Sequence, residues 1–314
     1  TTEIYTSLSV IAQRQTPVFK RAGSRYYWPV PTRISHKRNR VVALACYCLT
    51  SVLVLASEIQ GKEWSRHAID NSSRGADGAR LLDVNNDGRL DITTPWEEGG
   101  AVRVYLQPAT ENVREFWPAV TVGNVTSPED AILADLDGDG AADVISSTEG
   151  EDRTVYVHWA PANKVKYLNA DAWTTTPLPA SKGTQWMFAA PLQIDGKHGV
   201  DFFAAGKNEG AQIGWFEAPE NPRNPDQWKW HALQQVGWVM SIRLIDFDND
   251  GDLDLLYSDR KGEQRGVWWL ENPGAANASS PWPRQYIGCK DYQVMFLDIA
   301  DFDKNGGTDI FVTT

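Results

Sequence analysis

DVNNDGRLD (83–91), DLDGDGAAD (135–143), QIDGKHGVD (193–201), DFDNDGDLD (246–254) and DFDKNGGTD (301–309) are one nine-residue phrase written five times. Their last aspartates recur at intervals of 52, 58, 53 and 55 residues. Two further markers keep that period. Trp64, Trp117, Trp173, Trp228 and Trp282 are spaced by 53, 56, 55 and 54 residues, and VRVYLQP (102–108), VYVHWAP (155–161), IGWFEAP (213–219) and VWWLENP (267–273) end in prolines 53, 58 and 54 apart. Three independent markers with one period define a repeat of about 50 residues.

Each repeat parses into four short strands: one entering the loop (ARLLD, 79–83), one leaving it (LDITTPW, 90–96), one ending in proline and one beginning at the periodic tryptophan. Four antiparallel strands per unit of this length predict an all-β fold and, more narrowly, the blade of a β-propeller, with about five repeats present over 57–314. Some strands alternate apolar and polar residues and others run continuously apolar, as expected where both faces of a sheet are covered. The periodic tryptophans are expected to fill the space between sheets. The first tryptophan strand, EWSRHAI (63–69), has no loop of its own before it, and the last repeat stops at Thr314 after two strands. The lone strand could join those two and close a ring; the preferred expectation is a chain cut short at its C-terminus.

The loop chemistry points to a metal. Aspartate and asparagine at alternating positions set oxygens on one side of a tight turn, glycine at the sixth position allows the reversal, and the ninth aspartate completes the cage. Hard oxygen donors in that number suit calcium better than magnesium, which demands stricter octahedral geometry. The expected ligands are Asp83, Asn85, Asp87, Asp91 and the Arg89 carbonyl in the first loop, and Asp135, Asp137, Asp139, Asp143 and the Ala141 carbonyl in the second. The fourth loop offers Asp246, Asp248, Asp250, Asp254 and the Asp252 carbonyl, and the fifth Asp301, Asp303, Asn305, Asp309 and the Gly307 carbonyl. The third departs from the pattern: Gln193 and Lys197 replace two donors and His198 stands at the glycine position, leaving Asp195 and Asp201. No calcium is expected there, with the Lys197 ammonium standing in for the ion. An EF-hand would need glutamate at loop position twelve, where Thr94, Ser146, Tyr257 and Val312 stand, and flanking helices that the sequence lacks.

These loops resemble those of FG-GAP/VCBS repeat proteins, the family that includes the integrin α-subunit propeller, and the tryptophan and proline markers resemble its bacterial secreted members. The resemblance covers about 60–314. It implies a calcium-binding propeller in which the ion is structural, serving as a scaffold for a protein or carbohydrate ligand. The alternative it leaves open is a carbohydrate-active enzyme, a polysaccharide lyase or sugar dehydratase, with catalytic residues unknown. His67 and His231 each stand three residues after a periodic tryptophan and read as structural, and no nucleophile elbow, zincin helix or phosphate-binding glycine loop is present.

Composition agrees with a β-rich globular domain: 42% apolar, 23% charged, with 25 glycines, 17 prolines and 14 tryptophans in 314 residues. Residues 1–56 hold eight Lys/Arg and one acid, leaving 22 basic against 40 acidic residues in the body, a formal charge of about −18. Such a surface repels nucleic-acid backbones, so no nucleic-acid partner is expected. Only Cys289 lies in the body, which excludes an intrachain disulfide there. Basic residues 33–40 followed by the apolar run 41–56 and the Val54-x-Ala56 spacing predict a signal peptide, or an N-terminal anchor as the one link to a membrane. The expected location is secreted, periplasmic or at the cell surface. Residues 1–32 are expected to be an unstructured or mis-predicted extension.

Overall fold

The structure, a computed structural model, describes residues 8–11 and 65–314. The predicted signal segment 33–56, and all of the extension 1–32 except 8–11, lie outside the described residues. The described residues form nineteen strands and short 3-10 turns. After β1 (Leu8–Ile11), sheet I contains β2 (Arg80–Leu82), β3 (Asp91–Trp96), β4 (Ala101–Tyr105) and β5 (Ala119–Asn124). Sheet II contains β6 (Pro128–Ala134), β7 (Asp143–Thr148), β8 (Val155–Trp159) and β9 (Thr174–Pro177). Sheet III follows with β10 (Gln185–Leu192), β11 (Asp201–Lys207), β12 (Gln212–Glu217) and β13 (Lys229–Gln235). Sheet IV has β14 (Val239–Ile245), β15 (Asp254–Asp259), β16 (Gly266–Leu270) and β17 (Arg284–Gly288). The fifth sheet has three strands in the order β1, β19 (Asp309–Thr313), β18 (Leu297–Ala300). Every pairing is antiparallel, and each aspartate loop is the turn between the first two strands of its repeat.

The second strand of each repeat explains why these segments read as unbroken apolar runs. Successive side chains on a strand point to opposite faces, and here each face meets a different neighbour. Val144 of β7 packs with Val102, Val104 and Val120 of sheet I, while the next residue, Ile145, packs with Phe202 and Phe216 of sheet III. Phe202 and Phe203 of β11 divide in the same way between sheets II and IV, and Leu255 and Leu256 of β15 between sheets III and V. The core is therefore a series of separate apolar layers between consecutive sheets.

Three of the tryptophan markers occupy these layers, one sheet back from the strand they precede. Trp173, just before β9, lies in the layer between sheets I and II; Trp228, before β13, lies between II and III; Trp282, before β17, lies between III and IV. Each indole N–H donates to a carbonyl in the turn behind it: Trp117 to Val113 (3.0 Å), Trp173 to Tyr167 (2.9 Å), Trp228 to Pro222 (2.8 Å) and Trp282 to Ala278 (3.0 Å). Of the tryptophans outside this period, Trp96, Trp186, Trp215 and Trp269 are buried. Trp268 is half-buried beneath the Arg284 guanidinium.

One expectation is corrected. The described part of the expected strand 63–69, residues 65–69, forms no strand; its backbone touches the sheets only where the Ile69 carbonyl accepts the Trp117 N–H at 3.0 Å. The unpaired edge of β19, a row of backbone donors and acceptors that must find partners, is instead met by β1 from Leu8↔Thr313 to Ile11↔Ile310.

Replacing Trp228 by alanine should cost about 3–5 kcal/mol in urea unfolding, because it empties a closed layer and frees the Pro222 carbonyl. Trp117, half-buried beside Ile69 rather than in a layer between two sheets, should cost clearly less.

Candidate metal centres

The ninth-position aspartates are placed by the first residue of each second strand, and the structure gives them a task that spacing alone did not reveal. Asp91, Asp143, Asp201 and Asp254 are at most 1% exposed. One carboxylate oxygen accepts the N–H of the second loop residue, from Val84 (3.0 Å), Leu136 (3.1 Å), Ile194 (2.8 Å) and Phe247 (2.9 Å). The other accepts an N–H from just beyond the third strand, from Gln107, Ala160, Ala218 and Asn272 at 2.7–2.8 Å. Asp309 repeats the first of these bonds with Phe302 at 2.8 Å. Each carboxylate thus ties its own loop to the far end of the neighbouring hairpin. Burial raises these acids, Asp143 to about 7 and Asp201 to about 6, while the two backbone donors pull in the opposite direction. The signal for this role was in the sequence: Asp201 persists in a loop that has lost most of its other donors.

The odd-numbered side chains curl each loop around a common centre. The first aspartate accepts the N–H at position six, Asp83 from Gly88, Asp135 from Gly140, Asp246 from Gly251 and Asp301 from Gly306, at 2.8–3.2 Å. The third and fifth side chains each accept the N–H two residues ahead, as in Asp248 to Asp250 (3.2 Å) and Asp250 to Asp252 (2.9 Å). The backbone at positions four and six is left-handed throughout, for example Asn249 at φ 65° and Gly251 at φ 101°. Carboxylate oxygens consequently converge within 4.8 Å of one another in three loops: Asp135, Asp137 and Asp143; Asp246, Asp248 and Asp250; Asp301, Asp303 and Asp309. The first loop has an amide, Asn85, in place of one acid, and its Asn85 Nδ2 donates to Asp87 at 3.0 Å.

The residues present fit a hard divalent cation. In the second loop Asp135 Oδ1 is buried with no hydrogen-bond partner, a costly arrangement for a carboxylate oxygen unless an ion meets it. Charged neighbours already answer part of the negative charge. Arg223, from the turn after β12, pairs with Asp137 and with Asp139 of the preceding sheet's loop, and Arg89 pairs with Asp87.

The third loop is closed by protein groups instead. Gln193 Nε2 donates to the Lys197 carbonyl at 2.7 Å and to that of Gly199, and Lys197 Nζ donates to Asp195 at 2.7 Å. His198 keeps the left-handed turn at φ 43° without the freedom of glycine. Elsewhere, His158 is fully enclosed between Ser146 and Thr175, and burial pushes it down to about 3, so it is neutral. His231 stacks on Trp215 at 4.3 Å and pairs with Glu217 at 2.8 Å, a packing role that matches its reading as structural.

A periodic loop whose acids are folded onto one centre, each set between the first two strands of a four-stranded antiparallel sheet, identifies the repeat. In two regions these are FG-GAP-like repeats. The family model for the FG-GAP-like repeat matches residues 83–146 and 246–312, the regions holding the first, second, fourth and fifth loops. Both matched regions run from the first aspartate of an intact loop into the strands that follow. Among solved structures, the V. cholerae biofilm matrix protein Bap1 is similar at 16% identity with a TM-score of 0.39, covering 79% of this chain. The chain spans 37% of that protein's length. No curated protein matches.

Asp201→Ala should destabilise the chain by about 2–4 kcal/mol, since it strands the buried N–H groups of Ile194 and Ala218. The loss should be the same in calcium and in chelator, which chemical denaturation under both conditions checks.

Proposed function

We propose that this FG-GAP-like repeat chain is a calcium-stabilised β-propeller scaffold, exported from the cell, that binds a protein or glycan through loops at one end of its sheets. The observation that carries the calcium reading is the second loop, where three carboxylates converge and the buried Asp135 Oδ1 has no other partner. Oxygen donors of this hardness and number favour calcium. Four ions are expected, in the first, second, fourth and fifth loops, with the Gln193–Asp201 loop held by its own side chains. Calcium would act structurally, pinning the turn between the first two strands of each repeat. The propeller reading is supported by four-stranded antiparallel sheets stacked face to face through separate apolar layers. Export is supported by the basic-then-apolar segment 33–56 and by an acidic body.

Calorimetric titration of the chelator-treated protein should return about four calcium sites. Excess chelator should lower the melting temperature by several degrees, because an ion at 100 times its Kd contributes about 2.7 kcal/mol per site to the folded state. Asp248→Ala should remove one ion from the stoichiometry and leave the others. A melt indifferent to chelator would sink the reading.

A further inference from the structure

At the strand ends away from the aspartate loops, Glu129 of β6 is buried, 5% exposed, among more acids than bases. Glu97 follows β3 and Glu149 follows β7, and carboxylate oxygens of all three glutamates lie within 4.8 Å of one another. Among the described residues one cation pairs with this group. Lys207, the last residue of β11, donates its Nζ to Glu129 Oε1 at 3.2 Å and pairs with Glu149, while the indole of Trp238 lies 4.7 Å away. The remaining charges nearby do not balance the excess. Asp77 and Glu98 add negative charge beside Glu97. Asp130, next to Glu129 on β6, is matched by Arg80 of β2 at 2.7 Å, so that guanidinium is already committed. The packed strand β10, QWMFAAPL, brings no charge at all.

Three carboxylates crowded around one ammonium repel one another, and a proton on the buried Glu129 is the inexpensive way to reduce that repulsion. The groups of the cluster come from three consecutive sheets, Glu97 from I, Glu129 and Glu149 from II, and Lys207 from III. We infer that the Glu97–Glu129–Glu149–Lys207 cluster is a proton-locked joint between sheets I, II and III, closed while Glu129 holds a proton and loosened when it ionises. Burial raises the Glu129 carboxyl well above its ordinary value of 4.5; Lys207 opposes the rise and Glu149 adds to it. The sign follows. A group whose folded value is raised stabilises the fold fully below its unfolded value, and that contribution is lost as the pH climbs through the folded value. The joint therefore loosens with alkali.

The test uses the full chain in excess calcium, so that the aspartate loops stay in one state. Melting temperatures of wild type, Glu129→Gln and Glu149→Gln are compared from about pH 5 to about pH 9. Glutamine keeps the neutral form at position 129, and neutralising position 149 lets Glu129 ionise with less repulsion. Both variants should lose less melting temperature than wild type over this span, by roughly 2–4 °C for each kcal/mol of linkage removed. Hydrogen exchange gives the local readout. In wild type, protection at the ends of β3, β6 and β11 should fall with pH beyond the intrinsic rate change, and in either variant it should not. Wild-type and variant melting curves that run parallel, or a loss of protection spread evenly over all five sheets, would overturn the proposal. Should Glu129→Gln fail to fold, Glu149→Gln carries the comparison alone.

Discussion

A buried carboxylate that accepts two backbone N–H groups is the constraint on which each repeat depends. At the head of β3, β7, β11 and β15, the ninth aspartate of the loop bonds backward to the loop's own second residue and sideways to the residue just beyond the third strand. Two hairpins are thereby registered to each other by one side chain. Shifting a strand by one residue would turn its apolar set to the wrong face, and in these sheets adjacent residues serve different neighbours. The aspartate is thus a register pin. The ninth position keeps this duty in the third loop, where the other donors have been exchanged.

Much of this was legible in the sequence because repetition separates signal from accident. The loops, the proline-ended strands and the tryptophans share one period, and the strands fall where the pattern put them, with β3 at Asp91–Trp96 inside the expected 90–96. What was not legible has a physical cause in each case. The fourth strands begin one or two residues after their tryptophans, because the indole is turned into the layer behind and its N–H is spent on the preceding turn. The strand expected at 63–69 is absent over 65–69, since strand pattern requires a free edge as well as composition. The second duty of Asp91, Asp143, Asp201 and Asp254 was hidden because metal ligation and backbone bonding ask for the same residue. Glu97, Glu149 and Lys207 each stand six residues after the ninth aspartate of their repeat, but they and Glu129 lie far apart in sequence, so only the stacking of three sheets brings them together.

The same stacking organises the ion pairs. Arg80 of sheet I meets Asp130 of sheet II, Arg223 of sheet III meets the loop of sheet II, and Arg243 of sheet IV meets Asp298 of the fifth sheet at 3.2 Å. In a strongly acidic body these basic residues are placed at the seams, where they offset carboxylates that would otherwise repel across them.

The tryptophans give the array a direction. Trp173, Trp228 and Trp282 each stand at the head of the fourth strand of their own sheet, yet each ring completes the layer shared with the sheet before, and Arg223 likewise reaches backward. The unit that gains or loses stability together is therefore out of phase with the sheet: it joins the last quarter of one repeat to the body of its predecessor. Treated as a row of nearest-neighbour couplings, the array is asymmetric. Cutting the chain between Pro273 and Trp282 would open the layer between sheets III and IV, although every strand of sheet III would still be present.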